Sequence, residues 1–457
     1  MNTRTSDCKH DNHDTTAIRA ACDAPRPKTI TDTGLSSTFL GDLIEKHFYD
    51  AGILTLSALA KRSALSGPIL DDVLSFLRKE GRIEVRARTS DENSLRYALT
   101  ERGRASAQVG FERSGYVGPA PVTLNVYTET VQTQSVRDRL VTRDRMHTAF
   151  AGVVLDRATL DRLGPALNSG KAIFVYGNAG TGKTYITQRL SRLLQGTALI
   201  PHAIAVGDRV IRLFDPAVHI PLDSASPGVL LDEGYDPRFV LCRRPVVLTG
   251  GELTPDMLEV QFDPATRQYR APLQLKATNG MFILDDLGRQ RVPPQAVLNR
   301  WIVPMEEGRD YLSLSSGEHF SVPFDLVLVF STNLQPAELA DDAFLRRIGY
   351  KIHFGPLTPE RYHDIWRQVC EQHGIEYEPA LCQHVIEQLH CHSSVPLLPC
   401  HPRDLIEMAL DHAAYLGAPD ELDADALTWA WNNYFVKSEG CPPPAPSLSI
   451  HRDGKFK

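Results

Sequence analysis

The chain has 457 residues, of which 42% are hydrophobic and 23% charged, and its formal net charge is -7. That length exceeds one compact core and predicts two or three domains. The negative balance excludes a surface that coats nucleic acid over its whole extent, though not a local basic face, and no run of about 18 apolar residues offers a membrane insertion.

The opening stretch MNTRTSDCKHDNHDTT is polar and lacks the apolar core of a secretion signal, so a cytoplasmic location is expected. Residues 1–33 show no periodicity and read as a disordered tail. From Thr38 the pattern changes. FLGDLIEKHFYDAG repeats apolar residues at helical spacing and ends at Gly52. TLSALAKRSA predicts a second helix with Thr55 as cap, and SGPILDDVLSFLRKEG a third, capped by Ser66 with Pro68 in its first turn. RIEVRA then alternates as a strand, TSDENS turns, and LRYALT returns. Three helices followed by a hairpin is the winged-helix order, assigned to residues 34–110.

A DNA-binding role for that domain is disfavoured by charge. Between Gly34 and Ala107 there are 11 Lys/Arg and 10 Asp/Glu, and the third helix opens with Asp71 and Asp72, which would face phosphates badly. Arg82, Arg86, Arg88 and Arg96 on the wing are the best basic candidates. Protein docking or self-association is the preferred role. Residues 111–150, punctuated by Gly and Pro, read as a linker.

The chemistry concentrates after residue 150. AIFVYG is a buried-strand run and KTYITQRLSRLL an amphipathic helix. Between them Gly177, Asn178, Ala179, Gly180, Thr181, Gly182, Lys183 and Thr184 fit G-x-x-x-x-G-K-[ST] in the strand–loop–helix context a phosphate loop requires. Glycines let successive backbone N–H groups turn inward around phosphate oxygens, and the helix N-terminus adds its positive end. Lys183 would neutralise the β/γ-phosphates and the Thr184 hydroxyl would ligate Mg2+, which makes ATP with Mg2+ the expected ligand pair.

A second element agrees. MFILDDLGRQ is an apolar strand ending in Asp285 and Asp286. Behind a phosphate loop, Asp285 is placed to hold Mg2+ through its water shell, and Asp286 to orient or deprotonate the attacking water. The eight cysteines have no framework spacing. The cluster Cys382, His384, His390, Cys391, His392, Cys400 and His401 lacks paired C-x2-C spacing, so buried thiols and surface histidines are expected there rather than zinc. Beyond Lys437 the Pro-rich tail reads as disordered.

Over roughly residues 150–437 these motifs resemble the AAA+ ATPase family. LVLVFSTN ends in Asn333, where the family has sensor 1, whose amide helps position the hydrolytic water. DDAFLRRIGYKIHF carries Arg346 and Arg347, where the family keeps an arginine finger that reaches a neighbouring subunit's γ-phosphate; Arg347 is slightly favoured. HPRDL matches sensor 2 and implies that Arg403 contacts nucleotide from a helical lid. A finger acting in trans implies a homo-oligomer, a ring such as a hexamer. One departure is the Asp-Asp pair, where the family usually has Asp-Glu; the side chain of Asp286 is one methylene shorter, which points to slow or partner-dependent hydrolysis.

Lys183 and Asp285 lie 102 residues apart, and the excess includes GGELTPDMLEVQFDPATRQYRAPLQL, which predicts a hairpin about Asp263-Pro264. A second hairpin, DYLSLSSGEHFSVPFD, stands just before the Asn333 strand, in the position that defines the pre-sensor-1 hairpin group, with its MoxR-like chaperones. The chain looks closest to bacterial ATPases of predicted chaperone activity associated with Flp/Tad pilus assembly, which join a winged-helix front to such a module. YVGPAP and RRPVVLTGGEL strengthen that match.

The expected fold is therefore α/β: a P-loop AAA+ three-layer parallel sheet over residues 151–357, a helical lid over 358–437, a small winged-helix domain before them and a disordered tail, 438–457, after them. The expected function is ATP hydrolysis at inter-subunit sites that remodels an unidentified protein client or adaptor. The alternatives are a DNA-linked regulator or motor, and a nucleotide-gated scaffold with little turnover.

Overall fold

The computed structural model describes residues 24–86, 95–138, 140–194, 196–222, 235–339, 342–417 and 422–435. Arg88, the TSDENS turn, most of the N-terminal tail and all of the C-terminal one lie outside the described residues. The chain divides into two compact units, Met1–Ala179 with Lys183–Phe354, and Gly180–Gly182 with Gly355–Lys457.

Five parallel strands centre the first unit, in the order Val246–Thr249, Met281–Leu284, Val327–Thr332, Ile173–Tyr176, Tyr350–His353. MFIL and VLVFST are buried throughout, as a parallel sheet covered on both faces requires. Alternate residues feed two cores. Phe174, Phe282, Leu328 and Phe330 pack with Trp301 and Phe344 on one face. Ile173, Val175, Ile283 and Val329 pack with Leu163, Ile186 and Leu190 on the other. The expected α/β class is what the chain forms.

Ahead of this sheet, helices Ser37–Ala51, Leu56–Ser63 and Gly67–Lys79 pack on a three-stranded antiparallel sheet with Arg96–Leu99 between Leu54–Thr55 and Ile83–Arg86. Thr55 caps its helix through Ala58 N at 3.2 Å. Ser66 holds the N-cap position without a side-chain bond, and Pro68 stands in the first turn.

The described residues of 111–150, expected as a linker, form a strand and helices instead. Ala120 N donates to Ser63 O at 2.7 Å and Gly115 N to Arg267 O at 3.0 Å. Strand Val122–Thr123 leads into helix Leu124–Thr133, which buries Tyr127 and Val131, and helix Arg143–Ala149 follows. Threonines on the helix Leu124–Thr133 turn their hydroxyls back onto its own carbonyls, which satisfies these polar groups within the helix. Residues 24–33 are likewise held rather than loose. Asp236 N donates to Ala24 O at 2.9 Å, and the buried Arg238 donates to Thr33 O and Pro121 O at 3.2 Å each.

The excess between Lys183 and Asp285 supplies four strands of a second five-stranded sheet, ordered Gln261–Asp263, Gln268–Arg270, Arg209–Arg212, Ala203–Val206, with Val122–Thr123 as the fifth. The hairpin about Asp263-Pro264 is real but short; Leu258 ends a single helical turn and Leu273 begins a helix. The second hairpin, Arg309–Ser313 with His319–Pro323, buries Leu312, Leu314, Phe320 and Val322 in the core of this inserted sheet.

The second unit packs helices Pro359–His373, Cys400–Leu416 and Ala424–Tyr434 around Trp366, Leu405, Ile406 and Leu427. Cys370 and Cys382 are buried here, and burial pushes the Cys382 thiol up to about 12. Two histidines expected at the surface are buried. His390 pairs with Tyr362 OH at 3.1 Å, and His401 rests against Tyr434 and Phe435. Among the described residues no three His, Cys, Asp or Glu are grouped to hold a metal ion, nor is any helix long and apolar enough to cross a membrane.

Candidate functional site

Parallel strands deliver their C-terminal ends to one edge, and ligands of open α/β sheets bind outside it. Here that edge carries the loops that follow Thr249, Leu284, Thr332 and Tyr176. Adjacent strands are about 4.8 Å apart, so all four loops open within about 15 Å.

After Tyr176 the chain enters left-handed backbone at Gly177, Gly180 and Gly182, with φ of 148°, 81° and 83°. At Gly177 a β-carbon would stand 2.0 Å from Phe354 O, so only glycine fits. The curl ends at helix Lys183–Ser191. The Lys183 ammonium is nearly buried and donates to Gly177 O at 2.8 Å and Asn178 O at 2.7 Å. Burial holds it below its ordinary pKa, with Asp285 and Asp286 pulling the other way. Asn178, Ala179 and Thr184 are exposed, and Thr181 is buried.

One strand beyond the Asn333 strand, Asp285 N donates to Thr249 O at 2.8 Å, and the Asp285 carboxylate turns back to accept Asp286 N at 3.0 Å. Asp286 adopts φ 49°, a conformation that Asp tolerates better than most residues and that re-aims its side chain. Asn333 Nδ2 then donates to Asp286 Oδ1 at 3.2 Å. The turn is braced by Thr332 Oγ1 donating to Leu287 O at 2.6 Å and Leu287 N to Ser331 O at 2.9 Å.

Two residues at this edge were not singled out from sequence. Glu252 accepts from Thr249 Oγ1 at 2.9 Å and Gly250 N at 2.8 Å, and the Gly250 backbone bond leads in holding its carboxyl below the usual range. Gln290 ties the Asp286 turn to the neighbouring strand, donating to Gly250 O at 3.0 Å and accepting Gly288 N at 2.8 Å. A strand ended by an acid (VVLTGGE) was the available signal for Glu252.

The three arginines differ. Arg347 is ion-paired with Glu306 and partly shielded. Arg346, on the same helix Asp342–Arg347, is exposed and bonds none of the described residues. Arg403, in the second unit, is exposed and paired with Asp404 at 3.2 Å, while Asp404 also accepts from Tyr434 OH at 2.9 Å.

Residues 358–433 match a family described as a domain of unknown function (DUF8689). No curated protein matches the chain. Among solved structures it is similar to the RuvB Holliday junction branch migration motor of Thermotoga maritima, at 12% identity and TM-score 0.35, covering 60% of this chain and 68% of that one. It is also similar to NtrX of Brucella abortus, at 14% identity and TM-score 0.37, covering 76% and 62%. Domain III of the replication initiation protein DnaA from Thermotoga maritima aligns at 14% identity and TM-score 0.35, covering 63% and 97%. All three similarities are weak.

Proposed function

We propose that the chain is an AAA+-type P-loop ATPase that uses Mg-ATP at shared subunit sites to remodel a protein partner. The observation that carries this is the single sheet edge on which a glycine curl and a buried Lys183 stand with Asp285, Asp286 and Asn333. Backbone N–H groups and an ammonium suit phosphate oxygens. Thr184 hydroxyl and Asp285 carboxylate are hard oxygen donors suited to Mg2+, which when bound would neutralise charge on the β/γ-phosphates. Asp286, positioned by Asn333, orients or deprotonates the attacking water. Arg346, the freer of the two arginines, stabilises transition-state charge in the next subunit.

Protein remodelling is preferred to DNA work. The outer face of helix Gly67–Lys79 sets Asp71 and Asp72 against Arg78 and Lys79, leaving no net charge for phosphates. A cytoplasmic chaperone of pilus or secretion assembly fits the same reading. The tips of the hairpins, rather than their anchored strands, are the parts that would meet a client.

The test is steady-state ATP hydrolysis by the purified chain with Mg2+. Turnover that Lys183→Ala abolishes is expected; turnover unchanged in that variant would overturn the reading. Client identity follows from Asp286→Asn, which should trap ATP and retain the partner in a lysate pull-down.

A further inference from the structure

Away from the nucleotide edge, the end of helix Glu101–Arg113, strand Arg209–Arg212 and the tips of both hairpins enclose an open cavity of about 450 Å³. None of its lining belongs to the phosphate loop or the acidic strand ends. Three guanidiniums line it, Arg113, Arg209 and Arg267, against one carboxylate, Glu112. Arg113 is paired with Asp42 at 2.8 Å, and Arg209 donates to Arg113 O at 2.7 Å, which fixes both in place. Arg267 is exposed, makes no ion pair among the described residues and sits at φ 51° in the hairpin turn. Its backbone carbonyl accepts Gly115 N at 3.0 Å, so the turn is locked.

Neutral donors and an aromatic wall complete the lining. Ser315 Oγ and Tyr269 OH share a hydrogen bond of 2.9 Å, leaving hydroxyl capacity toward the cavity, and Ser316 stands beside them. Phe262 is 40% exposed, with its ring 4.8 Å from that of Tyr269. Forked guanidiniums recognise tetrahedral or planar oxyanions, and the Phe262 face beside them offers an apolar group a contact. With Arg113 already balanced by Asp42, Arg209 and Arg267 remain against the single Glu112 carboxylate, a net positive lining that suits an oxyanion.

We propose that this cavity binds a phosphomonoester carried on an aromatic or apolar body, the phosphate between Arg209 and Arg267 with the serine hydroxyls, and the body against Phe262. The ester could be a small metabolite or a phosphorylated side chain of a partner protein; the chemistry is the same.

The experiment is calorimetric titration of phenyl phosphate into the full chain carrying Lys183→Ala, so that the phosphate loop does not contribute. Saturable binding is expected, weakened about tenfold or more by Arg267→Ala, an exposed site whose loss leaves the melting curve in place. Arg209→Ala should act in the same direction. Inorganic phosphate should bind more weakly than phenyl phosphate, and Phe262→Ala should remove that difference. A phosphotyrosine peptide that outcompetes phenyl phosphate assigns the source to a protein, and the reverse order to a small ester. Absence of binding up to about 10 mM, or equal affinity in the parent and Arg267→Ala, overturns the proposal.

Discussion

The side-chain amide of Asn333 donates to the Asp286 carboxylate at 3.2 Å, joining the ends of two adjacent parallel strands. Removing it frees Asp286 from a backbone conformation already at φ 49°. Asn333→Ala should lower kcat by roughly a hundredfold, the lower range for a positioned acid–base group, while leaving Mg-ATP affinity near the parent value. Single-turnover kinetics with an independent binding titration separate the two effects. An equal loss in both would show a binding role instead.

Glu252 offers a third carboxylate on the same edge, held ionised by the Gly250 amide. Because Asp286 is one methylene shorter than glutamate, a second carboxylate on this edge is a candidate to assist water activation, and Glu252 is the one to test. Glu252→Gln should reduce kcat about tenfold, within the span of general-base effects. Turnover unaffected by this change would confine Glu252 to capping its turn.

The ion pair of Asp236 with Arg238 is buried on both sides and closes at 2.7 Å. Arg238 also ties the segment near Thr33 to Pro121. Asp236→Ala leaves an uncompensated buried guanidinium and should cost about 3–5 kcal/mol in denaturant unfolding. Replacing both members with apolar residues should recover much of that loss. A single-variant cost near zero would mean that the arginine escapes to water.

Burial, with Arg212 adding to it, pushes the His202 imidazole down to about 4, from an ordinary value of 6.5. Between those values the unfolded chain binds a proton that native His202 refuses, so stability rises with pH across the window and is lost as pH falls from 6.5 toward 4. The melting midpoint should therefore drop from pH 7 to pH 5, and drop less in His202→Gln. Identical slopes in the two proteins would contradict the assignment.

The legible parts of the sequence were those fixed by local chemistry. IFVYGNAGTGKT announces its strand, curl and helix because each step needs a particular residue type, and Gly177 shows why, with Phe354 O where a β-carbon would be. MFILDD and VLVFSTN likewise read as strands because both of their faces are buried. Long-range docking was not legible. Tyr127 and Val131 are buried by an inserted sheet four of whose five strands come from residues 203–270, and nothing local in residues 111–150 encodes that pairing. The burial of His390 and His401 depends on Trp431, Tyr434 and Phe435, also distant in sequence. Glu252 was visible as a letter, but its place beside the Asp285 strand follows from strand order alone.

The proposed function requires one subunit to supply an arginine to the nucleotide of another. Arg347 is engaged by Glu306 on its own chain, and we propose Arg346 as the residue that crosses. The direct measurement is ATP hydrolysis by mixtures of Arg346→Ala and Lys183→Ala chains, each inactive alone. Partial recovery on mixing is predicted, since one mixed interface pairs an intact phosphate loop with an intact arginine. Full activity of Arg346→Ala alone, or no recovery at any mixing ratio, would contradict it.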